Sequence, residues 1–121
     1  MAETTTTVRI VGEVAQGAPL RSSKETVILP AAILEAHEEV YRVADSSLAG
    51  SDIFEGDLLV VEPRRKAQTG ELVIARLDAQ LFIGRWWAKH GRRDILGDDG
   101  QTVIVRGATV IGSINLVVRR P

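Results

Sequence analysis

Short apolar runs rich in Val, Ile and Leu recur along this chain, and turn residues separate each from the next. That rhythm constrains the fold most. A run of roughly 4–8 residues bounded by Gly, Pro, Asn or Asp is long enough for a strand and too short for an ordinary helix. Val8, Ile10, Gly12 and Val14 alternate with Arg9, Val11 and Glu13, as in a half-buried strand. Val27 to Leu29, Val40 to Ala44 and Leu58 to Val61 read as further strands. Glu71 to Leu77 and Gln80 to Trp87 flank Asp78-Ala79 and predict a hairpin. Ile95-Leu96 and Thr102 to Val105 flank the turn at Asp98-Asp99-Gly100 and suggest another. Ala108 to Arg119 is a β-rich tail broken by Gly112.

The remaining segments read as follows. Met1 to Thr7 is polar and low in complexity, and is expected to fray as a flexible tail ahead of one domain over residues 8–121. Ala15 to Lys24 contains Gly17, Pro19, Ser22 and Ser23 and reads as a loop. Pro30 suits the first position of a short helix, Ala31 to His37, where its missing N–H has no partner to lose. Nothing has the periodicity of a helix-turn-helix, so no DNA-reading module is expected. The fold class is therefore mostly β, barrel-like, with at most one or two short helices.

Bulk properties narrow the function classes. A chain of 121 residues suits one domain, and 45% apolar with 26% charged residues is ordinary for a globular one. There is no cysteine, which excludes thiol catalysis and cysteine-bound metal. His37 and His90 are isolated, so no metal and no cofactor are expected. The net charge of -1 does not suit a phosphate-driven nucleic-acid binder. Arg64-Arg65, Arg92-Arg93 and Arg119-Arg120 fall at turns or the chain end and read as solvated surface. No apolar run is long enough for a bilayer, and Met1 to Thr7 lacks the regions of a signal peptide, so a cytoplasmic location is the expectation.

Few residues suggest chemistry by themselves. Ser46 and Ser47 lie in the irregular stretch Asp45 to Glu55, but a serine needs a base to react. Neither histidine has the context of a Ser-His-Asp triad. Glu38-Glu39 and Asp98-Asp99 are adjacent pairs that do not face a common substrate. Trp86 and Trp87 would alternate in a strand, one ring in the core and the other at the surface.

Longer blocks carry more. Arg42 to Pro63, RVADSSLAGSDIFEGDLLVVEP, resembles the serine region of the LexA/UmuD family of self-cleaving S24 peptidase domains. The family's Gly-x-Ser-Met motif is matched by Asp45-Ser46-Ser47-Leu48, and its Gly-Asp-Leu-Leu strand start by Gly56 to Leu59. The resemblance places Ser47 at the nucleophile, with Asp45 and Leu48 as departures. Val11 to Leu20, VGEVAQGAPL, is similar to the cleavage-site segment, which spans residues 8–26 here; the matching bond is Gln16–Gly17, with glutamine where the family has alanine or cysteine. Gly70 to Trp87 resembles the strand pair that carries the catalytic lysine, and the lysine position is Gly84.

The resemblance covers Val8 to Arg119 and implies a coiled β domain of the LexA C-terminal and signal-peptidase type. It also implies a homodimer, often through the C-terminal strand (here Ile111 to Val118), a role in the DNA-damage (SOS-type) response or phage-repressor-type regulation, and a recombinase filament or a DNA polymerase as partner. Gly84 cannot take a proton from serine, and Arg85 should point to the opposite face of its strand and stays protonated. Lys24, Lys66 and Lys89 lie in expected loops or turns, Lys89 being the nearest to Gly84 in sequence. Gly84 could equally be a strand glycine that permits close packing. Three readings follow: a domain that binds or dimerises without catalysis; an active peptidase cutting Gln16–Gly17 with Ser47 and a displaced lysine; and the dimerisation domain of a DNA-binding repressor. The initial Met and polar tail favour a free-standing protein over the last.

Overall fold

The fold was analysed in a computed structural model, which describes residues 4–64 and 66–119. Among these the apolar runs form eleven strands. In chain order they are β1 (Thr5–Val14), β2 (Ala18–Pro19), β3 (Arg21–Ser22), β4 (Thr26–Pro30), β5 (Glu39–Val43), β6 (Leu58–Pro63), β7 (Leu72–Leu77), β8 (Gln80–Lys89), β9 (Arg92–Leu96), β10 (Val103–Arg106) and β11 (Thr109–Val118). The helical content described is two single 3-10 turns, Ala31–Ile33 and Ala49–Ser51. The mostly β class read from the turn rhythm is what the chain adopts.

The sheet runs β10-β9-β8-β7-β11-β6-β5-β1-β3, with β2 added to β8 and β4 to β1. Only β1 and β5 pair in parallel among the described strands. The register shifts within β1/β5, β9/β10, β11/β6 and β11/β7. Such bulges bend strands and sharpen their twist, which lets one long sheet coil around its own apolar side chains. The expected hairpin is β7–β8, with Ala75 opposite Phe82 and Leu77 opposite Gln80. Asp78 turns it at φ 55°, in the left-handed region that Asp tolerates better than most residues.

Three clusters of buried side chains fill the coil. One joins Val14, Tyr41, Val43, Leu59, Val61, Ile74, Leu81 and Ile83 to Leu48 and Ile53, and so lies beneath the serine segment. A second packs Trp86 and Ile95 with Val73, Ala75, Ala108 and Val110. The third holds Ile10, Val27, Leu29, Val40 and Leu58. The unbroken run Leu58–Val61 follows from its place: Leu58 faces the third cluster while Leu59 and Val61 face the first. Of the two tryptophans, Trp86 is core and Trp87 lies at the edge with the Lys89 ammonium 4.7 Å from its ring centre.

Some expectations need correction. The helix expected over Ala31 to His37 is one 3-10 turn, with Pro30 as its cap and Leu34 already extended. So short a segment closes few intrahelical bonds, and the Glu38 carboxylate takes the Glu35 N–H instead, at 2.7 Å. His37 consequently sits in a turn and meets Glu62 at 3.3 Å. The tail expected to fray contributes Thr5 to Thr7 to β1, where they pair with Pro30, Leu29 and Ile28 of β4; Met1–Glu3 lie outside the described residues. Gly112 does not break the last strand: β11 runs through it with a bulge, and a Cβ there would lie 2.4 Å from Val61 Cγ1. The loop expected at Ala15 to Lys24 contains β2 and β3.

Candidate functional site

The serine segment hangs between β5 and β6. Asp45 begins it with an Asx turn: its carboxylate accepts the Ser47 N–H at 2.9 Å. Hydrogen bonding from Ser47 holds the Asp45 carboxyl below the usual carboxylate range. Leu48 then turns inward, 2% exposed, and its carbonyl accepts Ser51 N–H at 2.9 Å and Ile53 N–H at 3.2 Å. Asp52 takes a left-handed conformation, φ 60°, that brings Ile53 back into the core. Leu48 therefore fills the family's methionine position as a buried anchor.

The far end of the segment is fixed by Asp57, which is 2% exposed. Its carboxylate accepts the Phe54 N–H at 2.8 Å and two bonds from the Arg119 guanidinium, at 3.1 and 3.0 Å. Arg119 also donates to the Asp52 carbonyl at 3.0 Å and stacks 4.6 Å from the Phe54 ring centre. Arg119 beside Asp57 holds that carboxyl below its ordinary value. Arg119 remains half exposed, as its Arg-Arg pair suggested, but is also engaged in this network. Arg64 likewise pairs with Glu62 and Glu71, and Arg92 with buried Asp94; Arg65 and Arg120 lie outside the described residues. The sequence marked Asp57 as part of a motif but gave no sign of its partner, since 62 positions separate it from Arg119.

The Val11–Leu20 segment reaches the serine. Past β1, the Val14 carbonyl accepts the Ala44 N–H at 2.9 Å, which ties the two segments together. Gln16 N–H then donates to Ser47 Oγ at 2.9 Å. Gly17 turns at φ 73° and donates to the Leu81 carbonyl at 2.8 Å, and β2 pairs with Leu81 and Gln80. The Gln16 carboxamide bonds both backbone groups of Ile83, at 2.7 and 2.8 Å. Gln16 and Gly17 are brought together with Ser47, 31 positions beyond Gln16, against the strand that carries Gly84.

Gly84 itself is packed against the next strand. A Cβ there would lie 2.5 Å from the Leu96 carbonyl oxygen and 2.6 Å from Ile95 Cγ2, and its third neighbour is Ile104. These three nearest contacts belong to β9 and β10, and none to the serine segment. The close-packing reading of Gly84 is the one this geometry supports. Among the described residues, Ser47 has Gln16 and Asp45 as hydrogen-bond partners and no lysine. Lys89 lies over Trp87, and Lys24 and Lys66 are exposed in the β3–β4 and β6–β7 connections. Among the described residues no group of three His, Asp or Glu side chains converges as metal ligands would.

A mostly β fold with a cleavage-like segment seated on a serine matches the class of S24-like peptidase domains. Comparison with known proteins agrees. The Peptidase S24-like family model matches residues 9–101, and the chain belongs to that family. It is 32% identical over 120 residues to the LexA repressor of Bacillus thuringiensis (strain Al Hakam), covering 93% of this chain and 58% of that protein. To the LexA repressor of Bordetella pertussis (strain Tohama I) it is 30% identical over 94 residues, covering 74% of this chain and 44% of that protein. The chain thus spans less than two thirds of the curated relatives it matches.

Proposed function

We propose that this chain is a LexA/UmuD-type S24 domain that keeps the self-docking architecture without efficient self-cleavage, and that it serves as a dimerising, partner-binding domain. The observation that carries this reading is the environment of Ser47. Its oxygen accepts the Gln16 N–H, its backbone N–H donates to Asp45, and among the described residues no lysine amine lies within hydrogen-bond distance. A serine hydroxyl without a base is a poor nucleophile. The relatives' identity as LexA repressors supports a setting in DNA-damage or repressor-type regulation, with a recombinase filament or a DNA polymerase as candidate partner. The dimer contact fits the end of β11: Ile114 to Val118 pair with β6 on one side, while the β7 ladder stops at Ser113. Leu116 there is 39% exposed.

The test is incubation of the pure protein at alkaline pH, where a Ser-Lys site gains its neutral amine, followed by intact mass. The expected result is an unchanged mass. A fragment beginning at Gly17 would contradict the reading.

One observation favours the alternative of an active peptidase: Gln16, the residue before the matching bond, already contacts Ser47 Oγ through its N–H. That reading needs Lys24, Lys66 or Lys89 to reach Ser47, and Lys89 would have to leave Trp87. The partial coverage of the LexA repressors favours a third reading, the dimerisation domain of a longer DNA-binding repressor. Sequence of the coding region upstream separates it from the first.

A further inference from the structure

Strand β8 pairs with β7 along Gln80–Arg85 and with β9 along Arg85–Lys89. Its first half therefore has one ladder edge that neither strand covers. Residues 16–19 lie on that edge, through the Gly17–Leu81 bond and the β2 pairing. The next peptide group to satisfy belongs to Ile83. By then the main chain of the segment has turned aside, because Gln16 N–H is committed to Ser47 Oγ. The Gln16 side chain supplies the missing partner: its Nε2 donates to the Ile83 carbonyl at 2.8 Å, and its Oε1 accepts the Ile83 N–H at 2.7 Å. A carboxamide carries the same donor and acceptor as a peptide group, so it can stand in for one strand residue.

We propose that Gln16 is a side-chain latch that locks the 16–19 segment onto β8 and holds the Gln16 N–H against Ser47 Oγ. Alanine or cysteine at this position leaves both Ile83 groups without the carboxamide. Glutamate accepts the N–H but has no donor for the carbonyl when ionised. The docked arrangement is then the resting state of this chain, and the latched segment closes the β8 edge to any second extended peptide, which must first displace Gln16. The inference deepens the reading of the docked segment and holds whether or not Ser47 is reactive.

Amide hydrogen exchange by NMR tests it on wild type, Gln16→Ala and Gln16→Glu, with the β6 amides as a measure of global stability. In Gln16→Ala the exchange of Ile83 and Gly17 is expected to rise roughly tenfold or more relative to β6, whereas Gln16→Glu, which keeps the acceptor for the Ile83 N–H, is expected to retain part of the Ile83 protection at neutral pH. Unchanged protection of Ile83 and Gly17 relative to β6 in Gln16→Ala overturns the latch. So does a uniform rise across the chain, because the ratio to β6 then stays at the wild-type value. Self-cleavage of the wild type would sink the proposed lack of catalysis and leave this inference standing, so the two fail separately.

Discussion

Gly84 and Asp57 illustrate how much one residue decides here. The Cβ of an alanine at position 84 would press on the Leu96 carbonyl, so backbone has to move. Gly84→Ala is expected to destabilise by about 1–3 kcal/mol, the usual cost of overpacking. Gly84→Lys should be at least as costly and should not restore cleavage; denaturant unfolding with intact mass measures both, and cleavage by Gly84→Lys would contradict this packing account. Asp57 has a folded-state pKa below its ordinary value. Its contribution is therefore present above the unfolded carboxyl pKa of about 3.9 and is lost as pH falls through the folded value. Asp57→Asn is expected to cost about 1–2 kcal/mol at neutral pH, discounted for the half-exposed Arg119, and to flatten the acid limb of the stability profile. An unchanged acid limb would remove Asp57 from the account. At this scale Ser47, Gln16 and Gly17 were legible because adjoining motif blocks point to them. The Gln16 side-chain bonds, the Asp57–Arg119 pair and the packing of Gly84 were not, because each depends on strands that only the fold brings together.

The elements were legible where apolar runs end in turns. β6, β7, β8 and the hairpin at Asp78 follow from that pattern directly. The reading failed where propensity met tertiary pairing. Pro30 suggested a helix start, yet Thr26–Pro30 is held as a strand by β1. The polar threonines suggested fraying, yet the same ladder gives Thr5 to Thr7 their partners. Ala15 to Lys24 looked like a loop because its two strands have two residues each, below what periodicity can show. The serine segment is an element held by side chains rather than by a ladder. Leu48→Ala should therefore cost about 2–5 kcal/mol and loosen the residues around Ser47. Thermal unfolding and exchange of the Ser51 and Ile53 amides check this; full stability would mean that Leu48 is not the anchor.

For the whole molecule, β7 pairs with β11 from Thr109 to Ser113 and β6 from Gly112 to Val118, so both flank it only at Gly112 and Ser113, and its end from Ile114 onward has β6 alone. A dimer through that end should be broken by Leu116→Asp, with the mass in sedimentation equilibrium falling from twice the chain mass to the chain mass. A wild-type monomer would contradict the dimer, and a variant that stays dimeric would move the contact elsewhere. The central claim is that this fold docks its own cleavage-like segment on a serine that lacks a base. Its most direct test is the cleavage rate of wild type against Ser47→Ala, followed by intact mass from neutral to strongly alkaline pH. The account predicts the same absence of a fragment beginning at Gly17 in both. Cleavage at Gln16–Gly17 in wild type alone would contradict it.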